Sequence, residues 1–374
     1  MASFQKRGKT WQYCISRMVN GKYDPIRQGG FLRKKEAEVA AAAVEAKLRR
    51  QINPELINAK VPFDEYFEDW LLIYKPNIGK NTKARYNNTL ESIKEEFEGV
   101  YIQDITKRTY QSFLNKYGEN RTKATVRKLN SHIRSCVKDA IDEGLIQVDF
   151  TRRVTITGKV PSKRPEEKHL DYDESEMLLE GLVDDLNTLS HYLIVLGLTS
   201  GMRFAEMVGL TREDFNFENN EIDINKTWGY TNKMHEGFGN TKNDQSKRII
   251  TMDEFTMGLF KKMFESFPEN PIGLVFYSPS SKYKVISNNA VNKALSLALK
   301  KLDIDPITVH GLRHTHASIL LYKKVSIYYV SERLGHASID TTLEHYAHIV
   351  KELREEDEES TISTMESMFN KNAS

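Results

Sequence analysis

The first pattern in the chain is an alternation of apolar and polar positions. It covers residues 11–17 and 23–30, and the pair Asn20-Gly21 lies between the two runs. Alternation on both sides of an Asn-Gly pair predicts a β-hairpin. An alanine-rich stretch, residues 31–50, follows and predicts one helix that ends before the next Asn-Pro pair. The front of the chain is therefore predicted to be a small three-stranded sheet with one helix.

From residue 61 the apolar positions recur at helical spacing instead. Phe63, Phe67 and Trp70 mark one face of a first helix. Three further helices are predicted at about 81–97, 106–117 and 121–143, the last ended by Gly144. Residues 61–150 are therefore predicted to form a helical bundle.

A change of composition after this bundle indicates a domain boundary. Residues 151–168 are rich in Lys, Arg, Pro, Ser and Gly, which predicts a linker. Helices are then predicted over 170–210 and 254–267, with strands over 215–226 and 246–252. The predicted fold class is multidomain, mainly α with small β elements. It comprises a sheet-and-helix module (1–55), the bundle (61–150), a mixed α+β domain (169–350) and a tail (351–374).

Composition supports a folded protein of two or three domains, since 39% of the 374 residues are hydrophobic. The two cysteines, Cys14 and Cys136, lie far apart and form no disulfide framework, which favours a reducing compartment. No signal peptide and no apolar run near eighteen residues is present. These observations predict a soluble cytoplasmic protein with no membrane partner.

Charge is unevenly distributed, although the formal net charge is only +2. Residues 1–60 carry thirteen Lys/Arg against five Asp/Glu, and residues 61–164 carry nineteen against fourteen. Residues 165–350 carry nineteen against twenty-six, so any affinity for nucleic acid there depends on the local placement of cations. The tail is acidic.

Candidate chemistry concentrates between residues 307 and 349. His310 and Arg313 lie three residues apart, so a helix beginning near Thr308 presents both on one face, where a phosphate fits. Gly335 is predicted to end a helix and to expose His336 just beyond it. Tyr346 follows in a short helix that begins among Ser, Asp and Thr residues. This places one hydroxyl beside two imidazoles and a guanidinium.

The order H-x-x-R, L-G-H and then a tyrosine in T-T-L-E-H-Y resembles the tyrosine site-specific recombinases, also called the phage integrase family. Residues 199–210, T-S-G-M-R-F-A-E-M-V-G-L, are similar to the family's first arginine box, with Arg203 and Glu206 at matching positions. Residues 240–250 resemble its lysine-bearing β-hairpin, which makes Lys242 the matching lysine. Lys233, Lys247 and Arg248 are rivals for that position.

The resemblance implies transfer of a DNA phosphodiester to Tyr346, giving a 3′-phosphotyrosine and then a Holliday junction. Arg203 and Arg313 are expected to clamp the phosphate in place of a metal, so neither a cofactor nor ATP is expected. Lys242 is expected to protonate the leaving 5′ oxygen, while His310 and His336 hydrogen-bond the phosphate. Glu206 either orients the first arginine or the neighbouring histidine region, or it is a plain helix-surface glutamate.

The resemblance also implies partners. Double-stranded DNA with core and arm sites, a homotetramer on that DNA, and accessory DNA-bending and directionality proteins are expected. The front module resembles an arm-type DNA-binding domain, with a basic oligomerisation module as the alternative; its predicted contacts are Arg17, Lys22 and Arg27. In the bundle, expected to bind the core site, the predicted phosphate contacts are Lys80, Lys83, Arg85, Arg121, Lys123, Arg127 and Lys128.

Other functions remain open at this stage. The pairs His314-x-His316 and His345-x-x-His348 suggest a metal site, but no Cys or carboxylate ligands accompany them, so packing or a place near DNA is the preferred interpretation. Tyr328 and Tyr329 are rival hydroxyls in an apolar stripe, which predicts that they are core residues. A DNA-binding regulator with a vestigial catalytic fold, a conjugative-element or invertase-like recombinase and a type IB topoisomerase are the alternative functions.

Overall fold

The computed structural model describes residues 2–16, 18–19, 22–23, 25–49, 60–162, 169–352 and 354–370. The chain divides into two compact units, Met1–Ser162 and Lys163–Ser374. Both units are mainly helical with small sheets, which confirms the predicted fold class. Nowhere in the described ranges is there a helix with the length and apolar character needed to cross a membrane.

The sheet near the amino terminus has three antiparallel strands in the order β1-β2-β5. They are β1 (Ala2–Arg7), β2 (Thr10–Ile15) and β5 (Ile26–Phe31), while β3 (Met18–Val19) pairs with β4 (Lys22–Tyr23) between them. The helix α1 (Lys34–Arg49) covers one face, where Tyr13, Ile15 and Ala41 are buried. The hairpin predicted from alternation is therefore confirmed as β2 and β5.

Four helices form the bundle that follows, and their limits lie close to the predicted ones. They are α2 (Phe63–Tyr74), α3 (Lys80–Phe97), α4 (Lys107–Tyr117) and α5 (Lys123–Asp142). The side chains of Thr106 and Thr122 cap α4 and α5, which is why those helices begin where they do. Phe63, Phe67 and Trp70 are fully buried, so the predicted apolar face is the core face.

Residues 151–162, in the segment predicted to be a linker, pack along this bundle. The backbone N–H of Thr155 donates to the Gln111 side chain, whose amide donates back to the Thr155 carbonyl, both at 2.8 Å. Gly158 approaches the backbone of Lys123 so closely that a Cβ would lie 2.3 Å from the Lys123 nitrogen. The remaining residues of that segment, 163–168, lie outside the described residues.

The second unit surrounds a buried helix. This helix, α7 (Leu189–Ser200), buries residues on every side and packs against several of its neighbours. The other helices are α6 (Tyr172–Val183), α8 (Phe204–Met207), α9 (Glu254–Ser266), α10 (Asn288–Lys301), α11 (Val309–Tyr322), α12 (Ile327–Leu334), α13 (Ile339–Glu352) and α14 (Arg354–Asn370).

Two small antiparallel sheets complete this unit. One has the order β10-β7-β6, built from β6 (Phe215–Asn216), β7 (Glu221–Ile224) and β10 (Arg248–Thr251). The other pairs β8 (Thr227–Trp228) with β9 (Phe238–Gly239). The strands predicted at 215–226 and 246–252 are confirmed. Arg248, which belongs to the candidate site described below, is the first residue of β10.

The helix α14 carries the apolar positions of the predicted tail. Ile362, Met365 and Met368 are 59%, 50% and 60% exposed, so this chain does not bury their side chains. The side chain of Phe369, the fourth predicted member of the stripe, lies outside the described residues.

Candidate active site

The carboxyl ends of two helices lie at the candidate site. The helices α7 and α12 both end in a left-handed glycine, Gly201 (φ +67°) and Gly335 (φ +66°). A Cβ on Gly201 would lie 2.7 Å from the His316 ring, and one on Gly335 would lie 2.8 Å from the Arg248 guanidinium. Both positions therefore need glycine for conformation and for space.

The guanidinium of Arg313 joins these two helix ends. Its two terminal nitrogens donate to the carbonyls of Gly201 and Leu334, each at 2.8 Å. Carbonyls at helix carboxyl ends carry partial negative charge, which suits a cation. Arg313 is only 4% exposed, and burial, with nearby Arg203 as a second cause, lowers its pKa to about 9.

Arg203 lies beside Arg313 and reaches the surface, with a quarter of its side chain exposed. It donates to the Gly335 carbonyl at 3.0 Å and to the Glu206 carboxylate at 2.7 Å. Glu206 also accepts from the Arg203 backbone at 3.0 Å, which fixes the first turn of α8. Of the two interpretations of Glu206, the structure therefore favours orientation of the first arginine.

Arg248, named above only as a rival for the lysine position, is a third arginine of the cluster. It donates to the Glu206 carboxylate at 3.1 Å and to the Arg333 carbonyl at 2.6 Å. Burial raises the pKa of Glu206, but Arg248 and Arg203 outweigh this effect and hold it below its usual range. Three guanidinium cations around one carboxylate leave a local charge of +2, which attracts an anion.

The candidate nucleophile lies close to Arg313. Tyr346 is 3% exposed, and its hydroxyl is 2.9 Å from Nδ1 of His314. Burial raises the pKa of Tyr346, while Arg313 is close enough to oppose that rise. The structure thus brings Arg203, Arg313 and Tyr346 into one region.

The predicted histidines occupy different positions around this region. His310 is exposed, and its ring lies edge-on to that of His314 at 4.9 Å. His336 is half-buried, and its Nδ1 is 2.7 Å from the Thr342 hydroxyl. His316 is buried between the Leu198 carbonyl and Arg333, and burial lowers its pKa to about 3. His316 is thus a packed neutral histidine.

Lys242 is exposed on the turn that leads to β10. That turn is tied to the cluster through Ser246, whose hydroxyl bonds Asn243 and accepts from Arg203 at 3.3 Å. The Lys242 amine is therefore carried by an anchored turn, although within the described residues it makes no hydrogen bond or ion pair with the cluster.

Two expectations about tyrosines and metals can be compared with the structure directly. The prediction that Tyr328 and Tyr329 are core residues is wrong, since they are 73% and 48% exposed. The buried face of α12 is formed by Val330, Ser331 and Leu334 instead.

In the part of the chain that the structure describes, no group of three His, Cys, Asp or Glu residues is arranged to hold a metal ion.

The predicted DNA contacts lie on the first unit. Arg27 is exposed on the edge strand β5, Arg17 lies outside the described residues, and so does the side chain of Lys22. All seven predicted cations of the bundle are exposed: Lys80, Lys83, Arg85, Arg121, Lys123, Arg127 and Lys128. Arg85 and Lys128 line one groove of about 310 Å³ together with His132, and Arg121 stacks on Tyr117 at 3.9 Å.

Comparison with known proteins identifies the class. The chain belongs to the phage integrase family, whose model matches residues 168–352, and the model of the phage integrase N-terminal SAM-like domain matches residues 62–117. The chain is thus a tyrosine recombinase, a site-specific enzyme of DNA strand transfer.

Individual relatives have low sequence identity to this chain. The integrase of Staphylococcus phage L54a is 24% identical over 84% of this chain and 95% of its own length. The ICEBs1 integrase of Bacillus subtilis (strain 168) is 25% identical over 90% of this chain and 95% of its own length.

Solved structures share the fold at low identity. The Tn1549 transposon integrase in complex with a circular intermediate DNA has a TM-score of 0.65 at 17% identity, covering 77% of this chain and 95% of that one. A lambda integrase dimer bound to a COC′ core site has a TM-score of 0.59 at 17% identity, covering 89% and 91%.

Proposed function

We propose that this recombinase cuts and rejoins double-stranded DNA through a 3′-phosphotyrosine at Tyr346, without a metal or ATP. The observation that carries the proposal is the Tyr346 hydroxyl close to a largely buried arginine cluster with a charge of +2. A phosphodiester is the anion that this cluster suits, because planar guanidinium groups make paired contacts with phosphate oxygens.

The chemistry assigns a role to each residue. Arg203 and Arg313 stabilise the charge that develops on the phosphate, as a metal would do in other phosphoryl-transfer enzymes. Lys242 protonates the departing 5′ oxygen, and the anchored turn that carries it supports this role. His310 and His336 hydrogen-bond the phosphate from the open side, where both reach solvent. The energy of the broken bond is kept in the phosphotyrosine, so rejoining needs no nucleotide.

The relatives support a DNA partner and a role on a mobile element, and the assembly is our own inference. Solved structures of similar integrases contain DNA, which supports double-stranded DNA as the partner here. Relatives from a phage, from ICEBs1 and from a transposon support integration and excision of a mobile element. We infer four subunits that exchange strands through a Holliday junction, with residues 1–55 on an arm site, 61–150 on the core site and 169–350 as the catalytic domain.

The substitution Tyr346→Phe tests the proposal, because it removes the attacking oxygen and keeps the ring. We expect normal binding of attachment-site DNA in a mobility-shift assay and no covalent protein–DNA adduct in a denaturing gel. Tyr329→Phe, which removes an exposed hydroxyl one element away, is the matched control and should cleave normally. Adduct formation by the Tyr346 variant would refute the assignment. Adducts on any DNA without site preference would favour a topoisomerase, and binding without adducts by the unmodified protein would favour a regulator.

A further inference from the structure

His314 forms a hydrogen bond with the proposed nucleophile, Tyr346. This contact indicates a catalytic role for a residue that the proposed function leaves without one. The Tyr346 hydroxyl lies 2.9 Å from Nδ1 of His314, which is within the range for direct proton transfer. We propose that His314 is the general base that takes the proton of Tyr346 during cleavage and returns it during rejoining. This inference rests on the proposed function of Tyr346 as the nucleophile.

The position of His314 on its helix supports this role. It follows Arg313 directly on α11. Because Arg313 is proposed to hold the phosphate, the same helix positions both the phosphate and the imidazole of His314. Its ring is half-buried and packs tilted against the Tyr346 ring, with the centroids 5.8 Å apart. One turn earlier, the exposed His310 ring lies edge-on to it at 4.9 Å. The imidazole is therefore held between the nucleophile and the open side of the site.

A buried tyrosine needs such an acceptor in order to react. Tyr346 is 3% exposed, so water cannot serve freely as the base. Burial of the hydroxyl disfavours the phenolate, which makes ionisation before the attack costly. Transfer of the proton to a neighbouring imidazole during the attack avoids a free phenolate. The same burial keeps water away from the phosphotyrosine, which protects it from hydrolysis.

Two neighbouring histidines have other partners. Both ring nitrogens of His316 have partners, the Leu198 carbonyl and the Arg333 side chain. Nδ1 of His336 is hydrogen-bonded to the Thr342 hydroxyl. His314 contacts the reacting oxygen directly, at 2.9 Å.

The proton balance of the two half-reactions is complete. In cleavage the Tyr346 oxygen bonds to phosphorus, the bond from phosphorus to the 5′ oxygen breaks, and the tyrosine proton moves to Nδ1 of His314. The 5′ oxygen takes its proton from the acid, assigned above to Lys242. In rejoining the 5′ hydroxyl attacks phosphorus and the bond from phosphorus to the Tyr346 oxygen breaks. The hydroxyl proton returns to the acid, and His314 gives its proton back to the Tyr346 oxygen.

The test distinguishes removal of the proton from the Tyr346 hydroxyl from donation of a proton to the leaving 5′ oxygen. Single-turnover cleavage is measured on ordinary DNA and on DNA in which sulfur replaces the bridging 5′ oxygen, because a thiolate leaves without a proton. The variants are His314→Asn, whose amide preserves a hydrogen bond near Nδ1 but accepts no proton, His314→Ala and Lys242→Ala. Binding of core-site DNA shows whether each variant is folded.

We expect both His314 variants to lose about 100-fold or more in cleavage rate, the range for general base catalysis. The loss should persist on the sulfur substrate, whereas Lys242→Ala should recover there. Added imidazole should restore part of the activity of His314→Ala, which has room for it. A His314→Asn rate close to wild type would show that the histidine only positions the tyrosine and would overturn the proposal. Recovery on the sulfur substrate, or a rate above wild type, would overturn it as well.

The two proposals fail in different ways. If the wild-type protein forms the Tyr346 adduct and the His314 variants cleave normally, only the role of His314 is wrong. If the wild-type protein forms no adduct at Tyr346, the proposed function is wrong and the role of His314 falls with it.

Discussion

Glu206 is the one carboxylate among three guanidiniums, so the substitution Glu206→Gln tests how the arginine cluster is held. Its carboxylate bonds Arg203 at 2.7 Å and Arg248 at 3.1 Å, and the side chain is 2% exposed. In the variant, three buried or half-buried cations face one another with no counter-charge. We expect the second unit to lose stability while the first unit keeps its own.

The size of the loss follows from the burial of the two ion pairs. Two unit charges about 4 Å apart attract by ~4 kcal/mol at an effective dielectric constant of about 20, so two pairs give an upper limit of ~8 kcal/mol. Removing one partner of a buried pair costs about 3–5 kcal/mol. We expect a value in that lower range, because the Arg203 side chain is a quarter exposed and is able to turn toward water.

A urea titration followed by fluorine NMR of fluorotryptophan-labelled protein measures this loss unit by unit. The three tryptophans report separately: Trp11 on the sheet module, Trp70 on the bundle and Trp228 on the second unit. The Trp228 transition should move to lower urea and the Trp70 transition should stay in place. Glu265→Gln, at an exposed position of α9, is the control and should change stability by less than about 0.5 kcal/mol.

Low pH and added sulfate should each change the stability difference between wild type and Glu206→Gln. Because the folded-state pKa of Glu206 is depressed, its contribution is fully present above the pKa of an unfolded carboxyl, about 4.3, and is lost as the pH falls through the lower folded value. The difference between wild type and variant should therefore shrink in acid. Sulfate should stabilise the variant more than wild type, since its cluster carries one more positive charge. A loss below about 1 kcal/mol, or equal shifts at Trp70 and Trp228, would refute the reasoning.

The remaining predictions concern the clamp, the front module and the tail. Cleavage should persist in excess EDTA, and Arg203→Ala or Arg313→Ala should each lower its rate by about 100-fold or more; a rate restored by added zinc or magnesium would support the histidine-metal alternative. Deletion of residues 1–55 should spare cleavage of a core site and cripple integrative recombination, and equal recombination by both proteins would contradict an arm-binding role. Truncation after Arg354 should weaken the tetramer in sedimentation of synaptic complexes, because the exposed Ile362, Met365 and Met368 are expected to pack on a neighbouring subunit. An unchanged tetramer fraction would indicate a tail that packs on its own domain or stays unstructured.

Local signals were enough to predict most helix ends. The helix expected to begin near Thr308 is capped by that residue, and Gly335 ends α12 with a positive φ as expected. The helices predicted at about 106–117 and 121–143 begin one and two residues later, behind the caps Thr106 and Thr122. These signals act within one or two turns, so the sequence reports them directly. The bundle limits and the placement of Arg313 and Tyr346 on their helices followed from them.

Contacts between distant segments could not be predicted in this way. Arg248 meets Glu206 across 42 residues, and His314 meets Tyr346 across 32. No periodicity links such positions, because their proximity depends on how β10, α8, α11 and α13 pack. Tyr328 and Tyr329 show the related error, since an apolar stripe does not reveal which of its edges faces solvent.

The most direct measurement locates the covalent bond. Wild-type protein is incubated in EDTA with nicked attachment-site DNA that traps the cleaved strand, and the adduct is digested with trypsin and nuclease for mass spectrometry. Cleavage after Arg333 and Lys351 yields a peptide, residues 334–351, in which Tyr346 is the sole tyrosine. We predict a nucleotide joined through its 3′ phosphate to this tyrosine and a free 5′ hydroxyl on the released strand. A nucleotide on any other residue, or an adduct that forms only when a metal ion is added, would contradict the proposed mechanism.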